Sequence, residues 1–281
     1  MLKKEREPDV YMSEINLPVM NYKVYYMKKW EKLLYFIVAF LFGAAVGYLF
    51  YGGIGKDAYG DPTTLTYVLN VLFMLIGGIF AGVAFIPIRT KQIIAKRKRA
   101  LRDQFRSMLE ALSTSLGAGK NVNDSFIAVY NDLQMQYDSE AYIIYELYVI
   151  ISSVQNNVPI EKVIADFGRR SDIEDIEDFA NIFAISYRKG GNMNQIIKNT
   201  HEIMSDKMEI EDEIATIVSG SKNEQTIMLF MPVLLIAMIK MMSSEMAANF
   251  TTKTGVIATT VGVVMFIVSY FVGKKVLDIK V

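Results

Sequence analysis

Cysteine is absent from the 281-residue sequence, and histidine occurs once. Without thiols the chain forms no disulfide and holds no metal through thiolates. One imidazole is too few for most transition-metal centres. Net charge is absent as well, because 30 basic residues balance 30 acidic ones. The charges are unevenly spread, and their gaps organise the chain. None lies between Lys32 and Lys56, and none between Asp61 and Arg89. Apolar sequence fills those gaps. Hydrophobic residues make up 52% of the chain, and the mean hydropathy of +0.25 is high for a soluble protein.

Four apolar runs stand out: 33–53, 65–88, 226–242 and 254–273. A bilayer core of about 30 Å needs roughly 20 apolar residues as a helix. The first, second and fourth runs meet that length. The third is shorter and contains Lys240, which can snorkel from a span extended to Ser243. Basic residues set the expected orientation. Lys28, Lys29 and Lys32 precede the first run, and Lys274 and Lys275 follow the fourth. Arg89, Lys91, Lys96, Arg97, Lys98, Arg99, Arg102 and Arg106 follow the second, opposed only by Asp103. The short connections 54–64 and 243–253 are therefore external. The segment 1–32, the block 89–225 and the tail 274–281 face the cytoplasm of a multi-pass plasma-membrane protein. The first run is not a cleavable signal, since 32 residues precede it and no small-residue cleavage site follows. Stretch 17–30, rich in Tyr, Met, Val and Lys, suits an interfacial helix. Gly43-xxx-Gly47 and Gly78-xxx-Gly82 would let two spans approach closely.

Block 89–225 shows helical periodicity and no strand-like alternation. One stripe runs Leu101, Phe105, Met108, Leu109, Leu112, Leu116, and Gly117 and Gly119 end that helix. Asn123 or Asp124 starts a second helix over 125–133. Ser139 caps a third, 141–154, whose apolar run is interrupted by Glu146 and reads as the buried centre of a bundle. Pro159 opens a fourth ending near Gly168. A fifth spans 173–189, and a sixth starts at Met193. The expected fold is all-α: four transmembrane helices and a cytoplasmic six-helix bundle of helix–turn–helix units.

Three junctions share one pattern: GKNVNDSF (119–126), NVPIEKVI (157–164) and GGNMNQII (190–197). Each has Gly or Asn, any residue, Asn or Pro, then two apolar residues four apart. The first position tolerates a left-handed backbone, the third suits a cap, and the apolar pair faces a core. Gly190, Gly191 and Asn192 thus read as a corner. A phosphate loop needs Gly-x-x-x-x-Gly-Lys-Ser/Thr after a strand, and no such arrangement occurs here. In the sixth helix Ile196, Ile203, Ile210 and Ile217 recur every seven residues, with Ile214 at the other heptad core position, an expected packing seam. Glu209, Glu211, Asp212 and Glu213 flank it and read as solvated.

Chemistry has few footholds. His201 lacks a second histidine and reads as a surface or capping residue. Asp172, Glu174, Asp175, Glu177 and Asp178 open the fifth helix, where acids complement the helix dipole. Their sharper reading is a docking patch or a divalent-cation site. The basic stretch 97–106 beside a span reads as an anionic-lipid contact rather than a nucleic-acid site. No catalytic, cofactor or metal site is expected.

These pieces resemble the type II secretion F domain. The resemblance is carried by FRSMLEALSTSLGAG (105–119), NVPIEKVI (157–164), RKGGNM (188–193) and Pro232 opening an apolar run, and it covers 99–273. Two spans, one such domain and two further spans are similar to Flp/Tad-type pilus proteins TadB and TadC. General secretion and type IVa platforms carry two copies of the domain, so this chain departs from them. The resemblance implies a platform without catalysis of its own. Its partners would be a separate hexameric ATPase, prepilin or pilin subunits, a second platform subunit and membrane lipids, without nucleic acid. The acidic start of the fifth helix is the candidate motor contact. The residues themselves leave open a membrane-anchored signalling adaptor or a transporter subunit.

Overall fold

The computed structural model describes residues 7–56 and 61–277. The first six residues of the N-terminal segment, 57–60 of the expected external connection and 278–281 of the tail lie outside the described residues. The fold is almost wholly helical. In chain order the helices are α1 (Lys29–Tyr51), α2 (Thr64–Gly117), α3 (Val122–Gln136), α4 (Tyr142–Gln155), α5 (Ile160–Ser171), α6 (Glu174–Lys189), α7 (Met193–Met242), α8 (Ser244–Asn249) and α9 (Lys253–Leu277). The second apolar run and the Leu101–Leu116 stripe belong to one helix of 54 residues, which passes through Pro87. Likewise α7 is continuous over 50 residues, about 75 Å at 1.5 Å per residue.

The all-α expectation needs one correction. Stretch 17–30 forms no interfacial helix. Two three-residue strands, β1 (Val10–Met12) and β2 (Pro18–Met20), pair antiparallel with Val10 opposite Met20. The connecting turn supplies the reason. Asn16 takes a left-handed φ of 59°, and Ser13 Oγ accepts from Leu17 N at 3.0 Å. Those local bonds compete with a helix.

The chain packs into two units. One joins the N-terminal segment as far as Tyr26 to Thr90–Ile210; the other joins Met27–Arg89 to the chain from Glu211 onward. The first has a closed core in which Phe105 of α2 meets Phe179 of α6 edge-on, ring centres 5.4 Å apart, and Phe167 of α5 at 6.0 Å. Leu112, Phe126, Leu147, Ile176 and Ile197 are buried around them. Each such side chain contributes about 1.5–3 kcal/mol by leaving water.

In the second unit large apolar side chains such as Leu41, Phe80 and Phe271 point outward. Four helices there are long and apolar enough to cross a membrane: α1, α2, α7 and α9. Helices α1 and α2 approach backbone to backbone. A Cβ on Gly47 would lie 2.6 Å from the Phe73 carbonyl oxygen, and one on Gly77 2.6 Å from that of Gly43. Gly78 and Gly82 instead receive the rings of Phe40 and Phe36. Lys240 Nζ donates to the Gly52 carbonyl at 3.4 Å.

Two helix starts differ from expectation. Asn121, not Asn123 or Asp124, caps α3, its Oδ1 accepting from Asp124 N at 2.9 Å. Ser139 does not cap α4. Ala141 holds that position without a side-chain bond, and Gln104 of α2 reaches across to accept from Ile143 N at 3.1 Å. A long-range donor pairing does the work of a local cap.

Candidate functional site

The three repeated junctions have one backbone. Gly119, Asn157 and Gly190 have φ of 86°, 62° and 71°, the left-handed region that ends a helix. Two residues later Asn121, Pro159 and Asn192 precede α3, α5 and α7. Asn192 Oδ1 accepts from Gln195 N at 3.2 Å. The second apolar residue of each pair, Phe126, Ile164 and Ile197, is buried. Gly117 is the last residue of α2. Gly191 donates its N–H to Ser186 O at 2.9 Å, closing the α6 end.

The acidic start of α6 divides into two sets. Asp172, in left-handed conformation at the end of α5, is bonded by Lys98 Nζ through its carboxylate and at 3.0 Å through its carbonyl. Asp175 is held by Arg102 Nε at 2.8 Å and Lys207 Nζ at 2.9 Å. Those two acids tie α5 and α6 to α2 and α7. Glu174, Glu177 and Asp178 are exposed. The set splits because residues three and four apart share a helix face while Asp175 sits at the rim of the core. Among the described residues, no group of three or more His, Asp or Glu is arranged to hold a metal ion.

The isoleucine seam lies one position away from the buried stripe of α7. Ile197, Met204 and Met208 are buried, whereas Ile196 is half-buried and Ile203, Ile210 and Ile217 are exposed. Among the described residues, Ile203, Ile210 and Ile217 are therefore left largely uncovered. His201 Nδ1 lies 3.3 Å from the Arg106 carbonyl oxygen and links α7 to α2.

One cluster escaped the sequence reading. Glu146 is fully buried, and Arg170 of α5 grips it with Nη1 at 3.0 Å and Nη2 at 2.8 Å. Tyr22 Oη donates to the same carboxylate at 3.0 Å. Arg170 Nε donates to Asp166 at 2.7 Å, and its Nη1 to the Met20 carbonyl at 2.9 Å. Burial works against the Arg170 charge; hydrogen bonds and charge from Glu146, then Asp166, overcome it and hold the pKa above the ordinary arginine value. Burial, reinforced by the Glu146 charge, raises the Tyr22 hydroxyl well above its ordinary 10.0. A lone acid in the apolar α4 run was the signal that a buried cation exists. Nothing in spacing identified that cation as Arg170, or Tyr22 as a third member.

The same cluster straps the N-terminal segment down. Tyr22 N donates to the Arg170 carbonyl at 3.0 Å, Tyr145 Oη to that of Pro18 at 2.6 Å, and the Arg97 guanidinium lies 4.2 Å above the Tyr25 ring. A cleft of about 450 Å³ is lined by Glu110, Ser115, Lys120 and Asp132. The buried Ser115 hydroxyl has no partner among the described residues.

Comparison of the chain with protein-family profiles, with curated proteins and with solved structures gives no match.

Proposed function

We propose that this chain is the membrane platform of a type II secretion or Flp/Tad-like pilus assembly machine. It has no catalysis of its own and couples a separate cytoplasmic ATPase to the extraction and assembly of pilin subunits. In this reading the four apolar helices cross the plasma membrane, and both termini and the 89–225 helical block are cytoplasmic. One observation carries it: the third corner, at Gly190 and Gly191, leads into a helix that continues unbroken to an apolar stretch opening near Pro232. A bundle built from repeated corners, feeding one long helix, suits transmission of force rather than turnover. The motor contact is assigned to Glu174, Glu177 and Asp178. Asp172 and Asp175 are already committed to internal ion pairs.

The test is binding of the full-length chain in nanodiscs to the secretion ATPase of the same organism. Saturable binding is expected. Lysine at Glu174, Glu177 and Asp178 together should weaken it at least about tenfold, while Asp132→Lys leaves it unchanged. A folded full-length chain that does not bind the ATPase refutes the platform reading and favours the adaptor. Binding untouched by the triple substitution removes only the contact assignment. Orientation is tested separately, because the natural chain has no cysteine. An impermeant maleimide should label Lys253→Cys from outside and Ser139→Cys only after permeabilisation.

A further inference from the structure

We infer that the exposed seam of α7 is the docking surface for a basic amphipathic helix of another chain. Ile203 and Ile210 are 68% and 51% exposed and stand seven residues apart, with Ile196 half-buried one heptad earlier. A strict seven-residue repeat keeps its alignment only against a helix that supercoils with it. Isolated exposed isoleucines need no explanation, but a periodic row of them on one helix calls for a matching row.

Charge decides what that row belongs to. Glu202, Asp206 and Glu209 are exposed, and at about 100° per residue they fall on one side of the seam. Glu202 makes a loose 3.8 Å contact with Lys198, both side chains more than half exposed. On the opposite side Lys207 is held by Asp175 of α6 at 2.9 Å. The isoleucines thus have an acidic border on one side and a neutralised Lys207–Asp175 pair on the other. Two copies of α7 laid antiparallel, seam to seam, would face Glu202, Asp206 and Glu209 against the same acids of the other copy, which is unfavourable. An anionic bilayer is repelled in the same way. A helix with an apolar stripe bordered by lysine or arginine satisfies both features, since flanking charges select partners in such pairings. The inference stands apart from the platform reading and holds for any partner of this chemistry.

The probe is a synthetic three-heptad peptide with leucine and isoleucine core positions and lysine borders, fluorescently labelled. Its binding to the full-length chain in neutral-lipid nanodiscs is read by anisotropy. Saturable binding is expected, at least about tenfold weaker for Ile203→Asp/Ile210→Asp, with circular dichroism showing unchanged helix content. The combined Glu202→Lys, Asp206→Lys, Glu209→Lys variant should lose the lysine-bordered peptide and gain a glutamate-bordered one. Absence of binding, or equal binding to the aspartate variant, overturns the inference. So does Ile203→Cys cross-linking between chains faster than Asp132→Cys, which would make the occupant a second copy. A nitroxide at position 203 reached more readily by oxygen than by a water-soluble nickel chelate would assign the seam to lipid instead.

Discussion

Arg170 and Glu146 form an ion pair that water does not reach, both side chains being at most 6% exposed. Removing one partner leaves an uncompensated buried charge. Glu146→Ala should destabilise the fold by about 3–5 kcal/mol, whereas Glu146→Leu with Arg170→Met recovers most of that loss, because paired apolar replacement spares the desolvation of two charges. Thermal melts of the full chain in detergent, followed by circular dichroism, check both. Tyr22 adds a pH dependence. Its folded-state pKa lies well above the ordinary 10.0, so above pH about 10 the unfolded chain releases this proton while the folded chain keeps it. The folded state then binds more protons, and stability falls as pH rises. Below that range the contribution is fully present. Tyr22→Phe should flatten this part of the decline, seen as a smaller loss of Tm between pH 9 and about 11.

Helices and corners depend on a few backbone positions. The α1–α2 crossing leaves no room for a side chain at Gly47. Gly47→Leu should cost roughly 1–3 kcal/mol through forced separation of the backbones. Gly262→Leu is expected to be tolerated, since nothing lies within 4 Å of its Cβ position. Comparative melting of the two variants checks this. The corners follow the same logic in torsion space. Gly190→Val should destabilise by about 1–2 kcal/mol. Asn157→Gly, at φ 62°, should be neutral or stabilising by up to about 1 kcal/mol. Opposite signs in denaturant midpoints at two corners of one pattern would demonstrate that the left-handed position is what the pattern encodes.

The two units draw on distant parts of the chain, and the N-terminal strap is the clearest case. Residues as far as Tyr26 belong with Thr90–Ile210, so a fragment beginning near residue 90 exposes the Glu146–Arg170 pair on one side. Such a fragment should melt lower than one carrying 7–26 through a flexible linker. Loss of the Tyr22 bond to a charged group alone accounts for about 1.5–3 kcal/mol. Equal melting of the two fragments would reduce the strap to a surface decoration.

The sequence by itself did not determine β1 and β2, α8 or the continuity of α2, but it determined the largely helical class, the four apolar stretches and the corners. Those features rest on local periodicity, charge gaps and single-residue backbone preferences, all of which are encoded within a few positions of one another. Tertiary structure alone decided the rest. The pairing of Glu146 with Arg170 and Tyr22 joins residues far apart in sequence, and so does the capping of α4 by Gln104. The division of the acidic run, with Asp175 held and Asp178 exposed, depends on where α2 and α7 place Arg102 and Lys207. The same holds for the seam: a heptad identifies a face of α7, but only the packing of Ile197 and Met204 into the core turns Ile203 and Ile210 outward. Periodicity fixes which residues share a face; the neighbouring helices fix which face is buried.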